Sequence, residues 1–141
     1  MKESIQHLGP KPPKRLSFRT LRGWYKYERL PYKVHYNLKS STDDDLNEKN
    51  PGQFILTQDS GPGASGEKSL SIFIHESVPK EYRDIVFFHE LVEAEFSLVD
   101  GLDKPMAHQK AVQQTEEYAK SHLSEEDFQK FREWQERLDQ Y

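Results

Sequence analysis

Tyr32, Val34, Tyr36 and Leu38 alternate with Lys33, His35, Asn37 and Lys39. A period of two sends successive side chains to opposite faces, so this segment reads as a half-buried strand. Two shorter apolar runs follow, Phe54-Ile55-Leu56 within 53–58 and Ile72-Phe73-Ile74 within Leu70–His75, and each predicts a further strand. The stretches between them are polar. Residues 40–52 hold Asp43-Asp44-Asp45 and Asn50-Pro51-Gly52, and 60–68 is rich in glycine, so both are expected to be loops. Residues 18–30 fit neither period well.

Beyond His75 the period lengthens. Pro79 stands where a helix begins, with Glu81 and Asp84 in the first turns, where acidic groups favour the helix dipole. Ile85, Val86, Phe88, Leu91, Val92, Phe96 and Leu98 then fit one amphipathic helix from Glu81 to about Leu98, ending near Asp100-Gly101. Gly101–Pro105 is an expected turn, and Met106 to about His122 a second helix. Ser124-Glu125-Glu126-Asp127 has the form of a capped start for a third helix through Phe128, Phe131, Trp134 and Leu138. Strands precede helices without alternating with them. The expected fold is therefore α+β, a small N-terminal antiparallel sheet packed on a C-terminal three-helix segment. Residues 1–16, with Pro10, Pro12 and Pro13 among basic side chains, read as a flexible arm, which leaves 17–141 as a single domain.

Composition narrows the chemistry. The chain has no cysteine, so disulfides and thiolate metal sites are excluded, and any metal must be held by His, Asp or Glu. No apolar run approaches the ~20 residues that span a bilayer, and no secretory signal is evident at the N-terminus. The expectation is a cytoplasmic protein without a membrane segment. Charge is unevenly spread: residues 1–40 carry ten Lys or Arg against two acidic residues, and 41–141 carry ten against 22. The basic part also holds Phe18, Trp24, Tyr25, Tyr27, Tyr32 and Tyr36. Such a mixture suits nucleic acid, through phosphate neutralisation and base stacking. It equally suits a basic edge docking on the acidic body of the same chain, and no nucleic-acid motif accompanies it.

The densest chemistry lies in His89-Glu90-Leu91-Val92-Glu93. Residues four apart share a helix face, so His89 and Glu93 can hold one divalent cation between them. A catalytic zinc site needs a third protein ligand. His108 lies just past the expected turn, on a helix that would return alongside the first, on a stripe with Val112, Thr115, Ala119 and His122. Glu116 and Glu117 are alternative third ligands, Glu116 being nearer that stripe. Glu90 is placed about 100° round the helix from His89. There it could act as general base toward a zinc-bound water rather than as a ligand. Other signals are weaker. The Gly61–Ser69 stretch has Glu67 where a phosphate loop needs none, and reads as a hairpin connection. His75 is expected to be a surface histidine at a strand end, and the strand Leu70–His75 could take an extended peptide by strand addition.

The segment Phe87-Phe88-His89-Glu90-Leu91-Val92-Glu93-Ala94-Glu95 resembles the active-site helix of the zincin-type metallopeptidases. The preceding strand and the following ligand helix extend the resemblance, to their minimal members, over about 69–120. It implies a zincin-like fold, zinc as cofactor, a peptide or protein substrate, His89 as ligand, Glu90 as general base and a further ligand on the second helix. The family's motif has histidine where this chain has Glu93. Either Glu93 and His108 exchange roles in the ligand set, or the site has lost its metal.

Overall fold

The computed structural model describes residues 22–25, 27–40 and 42–138, the side chains of 22–25 excepted. The arm expected at 1–16 and the leading part of the basic aromatic segment lie outside the described residues. The elements run β1 (Arg22–Tyr25), β2 (Lys33–Lys39), β3 (Gly52–Gln58) and β4 (Lys68–His75), then α1 (Arg83–Ala94), α2 (Lys104–His122) and α3 (Glu125–Gln135). The fold is α+β, as the order of periods implies. The ambiguous stretch before Leu30 contributes β1.

The sheet departs from expectation in its directions. Its order is β1-β2-β4-β3. β1 and β2 are antiparallel, as are β3 and β4, but β2 and β4 run parallel, with Tyr36 beside Ile72 and Leu38 beside Ile74. The sheet is therefore mixed rather than antiparallel. The physical reason lies in the β3–β4 hairpin. Leu70, Ile72 and Ile74 are fully buried, so β4 takes a central position between two partners. β3, with Ile55, Thr57 and Gln58 exposed, is left at the edge. Inserting β4 beside β2 turns the hairpin so that these two strands run the same way. It also means that β4, paired on both sides, has no edge for an added strand, and β3 has. The glycine-rich stretch is the hairpin connection expected of it, closed by Asp59 N–H to the Glu67 carbonyl at 2.8 Å.

The site helix also differs from its expected form. From Asp84 to Ala94 every residue of α1 is buried, so it is not a half-exposed amphipathic helix. One side packs on β3 and β4, and another on α2. Val86, Phe87, Phe88, Leu91 and Val92 anchor it in the core. Burying one such side chain is worth roughly 1.5–3 kcal/mol, which offsets the unfavourable burial of polar neighbours on the same helix.

The helix boundaries follow capping chemistry. A 3-10 turn at Lys80–Tyr82 precedes α1, with Pro79 ahead of it. The single helix expected from Glu81 to Leu98 is instead α1 followed by a π-helical turn, Glu95–Val99, in which Asp100 N–H reaches back five residues to the Glu95 carbonyl at 3.1 Å. Gly101 then adopts φ +71°, a conformation that favours glycine, and ends the element. The Asp103 side chain accepts from Met106 N–H at 3.0 Å to start α2, two residues before the expected Met106. Ser124 accepts from Asp127 N–H at 3.1 Å to start α3, which ends at Gln135. Phe131 and Trp134 pack α3 on Tyr82, with ring centroids 5.2 Å away in each case. No helix among the described residues is long and apolar enough to cross a membrane.

Candidate metal centre

α2 approaches α1 closely because its buried stripe is made of small residues, Ala107, Ala111, Thr115 and Ala119, with Tyr118 beside them. This stripe lies next to the one expected from sequence. Thr115 and Ala119 belong to both, but Val112 is only half-buried and His122 is exposed. The close approach brings His108, in the first turns of α2, over the last turn of α1.

The three side chains singled out as ligands meet there. Single ligating atoms of His89, Glu93 and His108 all lie within 4.8 Å of one another. One carboxylate oxygen, Glu93 Oε1, is 3.1 Å from His89 Nε2 and 3.0 Å from His108 Nδ1. The two imidazole rings stand edge to face, with centroids 5.4 Å apart. His89 is wholly buried, Glu93 nearly so, and the His108 side chain is 36 % exposed. Two nitrogens and a carboxylate oxygen form a donor set that suits zinc, and their mutual distances leave room for one ion among them. The residues present therefore fit a divalent cation.

Burial penalises the charged carboxylate of Glu93. Hydrogen bonds from both imidazoles, with their coulombic attraction, outweigh that penalty and hold its pKa below the usual carboxylate value. Burial also dominates at His89 and lowers its pKa, despite the opposing hydrogen bond and charge of Glu93. At neutral pH the centre is thus an ionised carboxylate with a neutral His89. An ionised carboxylate only accepts, so His89 Nε2–H and His108 Nδ1–H donate to it. The other nitrogen of His89, Nδ1, is 3.1 Å from Thr115 Oγ1. Sequence reasoning placed Thr115 on the right helix but gave it no role. Its signal was a hydroxyl among alanines on a buried stripe.

Glu116 and Glu117 do not join the centre. Glu116 pairs with Lys120 and Arg132, facing α3, and Glu117 is exposed. The i, i+7 relation to His108 that Thr115 has, and Glu116 lacks, explains the difference. His75 also corrects expectation. It is buried at the end of β4, with Nε2 at 3.0 Å from Thr42 Oγ1 and Nδ1 at 2.8 Å from Ser77 Oγ, and it secures the β2–β3 loop rather than lying on the surface.

An open cleft of about 840 Å³ lies at the centre. Glu90, Glu93 and His108 line it from the helices, Gly52, Gln53 and Phe54 from the start of β3, and Asp44 and Asp45 from the loop before. Glu90 is 1 % exposed, yet belongs to this lining. Ser97 of the π-turn and Lys104 of α2 complete the near wall. The cleft combines two members of the cation-compatible trio, Glu93 and His108, with a separate buried carboxylate and the end of an edge strand, and His89 lies buried behind its wall. No family model, curated protein or solved structure matches this chain.

Proposed function

We propose that this chain is a divalent-cation-dependent hydrolase of the minimal zincin-like type, acting on peptide bonds. The observation that carries this reading is the convergence of His89, Glu93 and His108, from two helices, on one another, with Glu93 and His108 lining a cleft that Glu90 also lines and His89 buried behind them. Zinc, or another divalent cation, would be held by these three side chains and would supply Lewis acidity toward a carbonyl and an acidified water.

The rest of the chemistry belongs to the chain's own residues. Glu90 lies one residue from His89, outside the ligand trio and in the cleft lining, and its carboxylate is the group that would accept a proton and return it to the leaving amine. Glu93 brings a negative charge where a third imidazole would be neutral, which moderates the Lewis acidity of the centre. The burial of His89 and Glu90 keeps bulk water from competing for their hydrogen bonds. The edge of β3 supports a peptide substrate. Its outer backbone groups can pair with an extended chain, and its first residues Gly52 to Phe54 border the cleft.

The test has two arms. After reconstitution with zinc, metal analysis should find one ion per chain, absent in His89→Ala. A library of fluorogenic peptides should be cleaved by the wild type, and Glu90→Gln should slow cleavage by roughly 10²–10⁴ while retaining the ion. A protein that takes up no divalent cation defeats the metal centre. One that binds the ion and peptides but cleaves none is a binding protein rather than a hydrolase.

A further inference from the structure

His89 is buried with a hydrogen-bonding group at each ring nitrogen. Glu93 Oε1 sits between two ring nitrogens, 3.1 Å from His89 Nε2 and 3.0 Å from His108 Nδ1. A carboxylate oxygen so placed accepts from both, so Nε2 carries the hydrogen and Nδ1 is left with a lone pair that accepts from Thr115 Oγ1–H. A cation among His89, Glu93 and His108 needs the opposite arrangement, a lone pair at Nε2. In a neutral ring the hydrogen must then stand on Nδ1 and be donated from there.

The partner at Nδ1 therefore faces two contrary demands. A carboxylate or a carbonyl could accept from Nδ1–H but would confront the lone pair of the other form. A backbone amide could serve only that other form. A hydroxyl both donates and accepts. A helical threonine can also turn its hydroxyl hydrogen to the carbonyl one turn back, here that of Ala111.

We propose that Thr115 is a positioning residue that keeps His89 hydrogen-bonded in both ring forms and so lets it pass from the Nε2–H form to the Nδ1–H form when a cation binds. The inference rests on the cation site proposed above. The ring carries one hydrogen before and after, so its charge does not change and no net proton is taken up or released by it. The hydroxyl rotates between the two forms, donating to Nδ1 in one and accepting from it in the other. Ala107, Ala111 and Ala119 on the same buried stripe hold the helices at the separation that lets a side chain as short as threonine reach the ring.

The experiment uses the full chain labelled with ¹⁵N-histidine, as wild type, Thr115→Ser and Thr115→Val. Long-range ¹H–¹⁵N spectra report which nitrogen of His89 bears the hydrogen, and calorimetric titration reports zinc affinity. Wild type and Thr115→Ser should show the Nε2–H form without metal and the Nδ1–H form with zinc. Thr115→Val, nearly the same shape without the hydroxyl, should bind zinc roughly 10–100-fold more weakly, as loss of a group that orients a ligand does. Zinc affinity in Thr115→Val equal to wild type, or an Nδ1–H form already present without metal, overturns the role of Thr115 and leaves the cation site standing. A wild type that binds no zinc overturns the cation site and this inference with it. Should Thr115→Val fail to fold, Thr115→Ala takes its place, with the same loss of zinc affinity expected and an affinity equal to wild type overturning the role of Thr115.

Discussion

Glu93 and Glu95 lie two residues apart at the end of one helix, both almost wholly shielded from solvent, and their surroundings drive them in opposite directions. Glu93 faces the cleft, where two imidazoles hold its pKa down against burial. Glu95 faces away from it, where burial raises its pKa and the attraction of Arg29, with help from Tyr27, only partly compensates. The Arg29 guanidinium pairs with Glu95 Oε2, and the Tyr27 hydroxyl donates to Oε1 at 3.3 Å. A guanidinium has donors and no lone pair, so it can satisfy a carboxylate but cannot join it in ligating a cation. An imidazole can do both, in different tautomers. Equal burial of the same residue type thus yields a cation-compatible centre at one position and a structural brace at the other.

The largest effect that separates the two is on metal binding. Glu93→Ala should weaken zinc affinity by more than about 100-fold, beyond what loss of a merely supporting group costs. Glu95→Ala should leave it within a few-fold, as calorimetric titration would show. Parity of the two variants would erase the distinction.

Stability should respond in the reverse sense. Arg29→Ala leaves a buried carboxylate short of its main partner and should cost about 1–3 kcal/mol in urea unfolding. The lower part of that range is expected, because Glu95 can escape by protonating and the Arg29 side chain is 43 % exposed, which screens the pair. Zinc affinity in this variant should match the wild type.

The smallest effect is on the pH profile of the metal-free protein. His89 has a pKa below its ordinary 6.5, so as pH falls below 6.5 the unfolded chain takes up a proton that the folded site resists, and stability declines. Glu93, also depressed, adds to the loss below its ordinary 4.5. Glu95 is raised, so its contribution is present below 4.5 and is lost as pH rises through its folded value. Melting curves from pH 7.5 to 4 should therefore fall toward acid, and Glu95→Gln, which removes the opposing contribution, should steepen that fall. A shallower profile in Glu95→Gln would contradict the assigned directions.

Much of this was legible in the residues. The alternation at Tyr32–Lys39, the runs at 53–58 and 70–75 and the capped start at Ser124 each correspond to an observed element. The i, i+4 spacing of His89 and Glu93 and the short turn before His108 were enough to bring the trio together, since both are local relations. What was not legible depends on partners distant in the chain. Nothing near Leu70 or Val34 states that β4 lies parallel to β2, because strand direction is set by where the hairpin inserts. The π-turn at Glu95 is tied to a side chain 66 residues earlier, and periodicity alone carries it through as ordinary helix. The burial of His75 is not legible either, because a polar residue at a strand end usually meets water, whereas here Thr42 and Ser77 satisfy both of its nitrogens.

The link between Arg29 and Glu95 ties together two segments far apart in the chain. Arg29 belongs to the short stretch between β1 and β2, and Glu95 opens the wide turn that carries Ser97 into the cleft wall. The connection between two neighbouring strands is thereby pinned by side chains to the far end of the site helix, alongside the packing of that helix on the sheet.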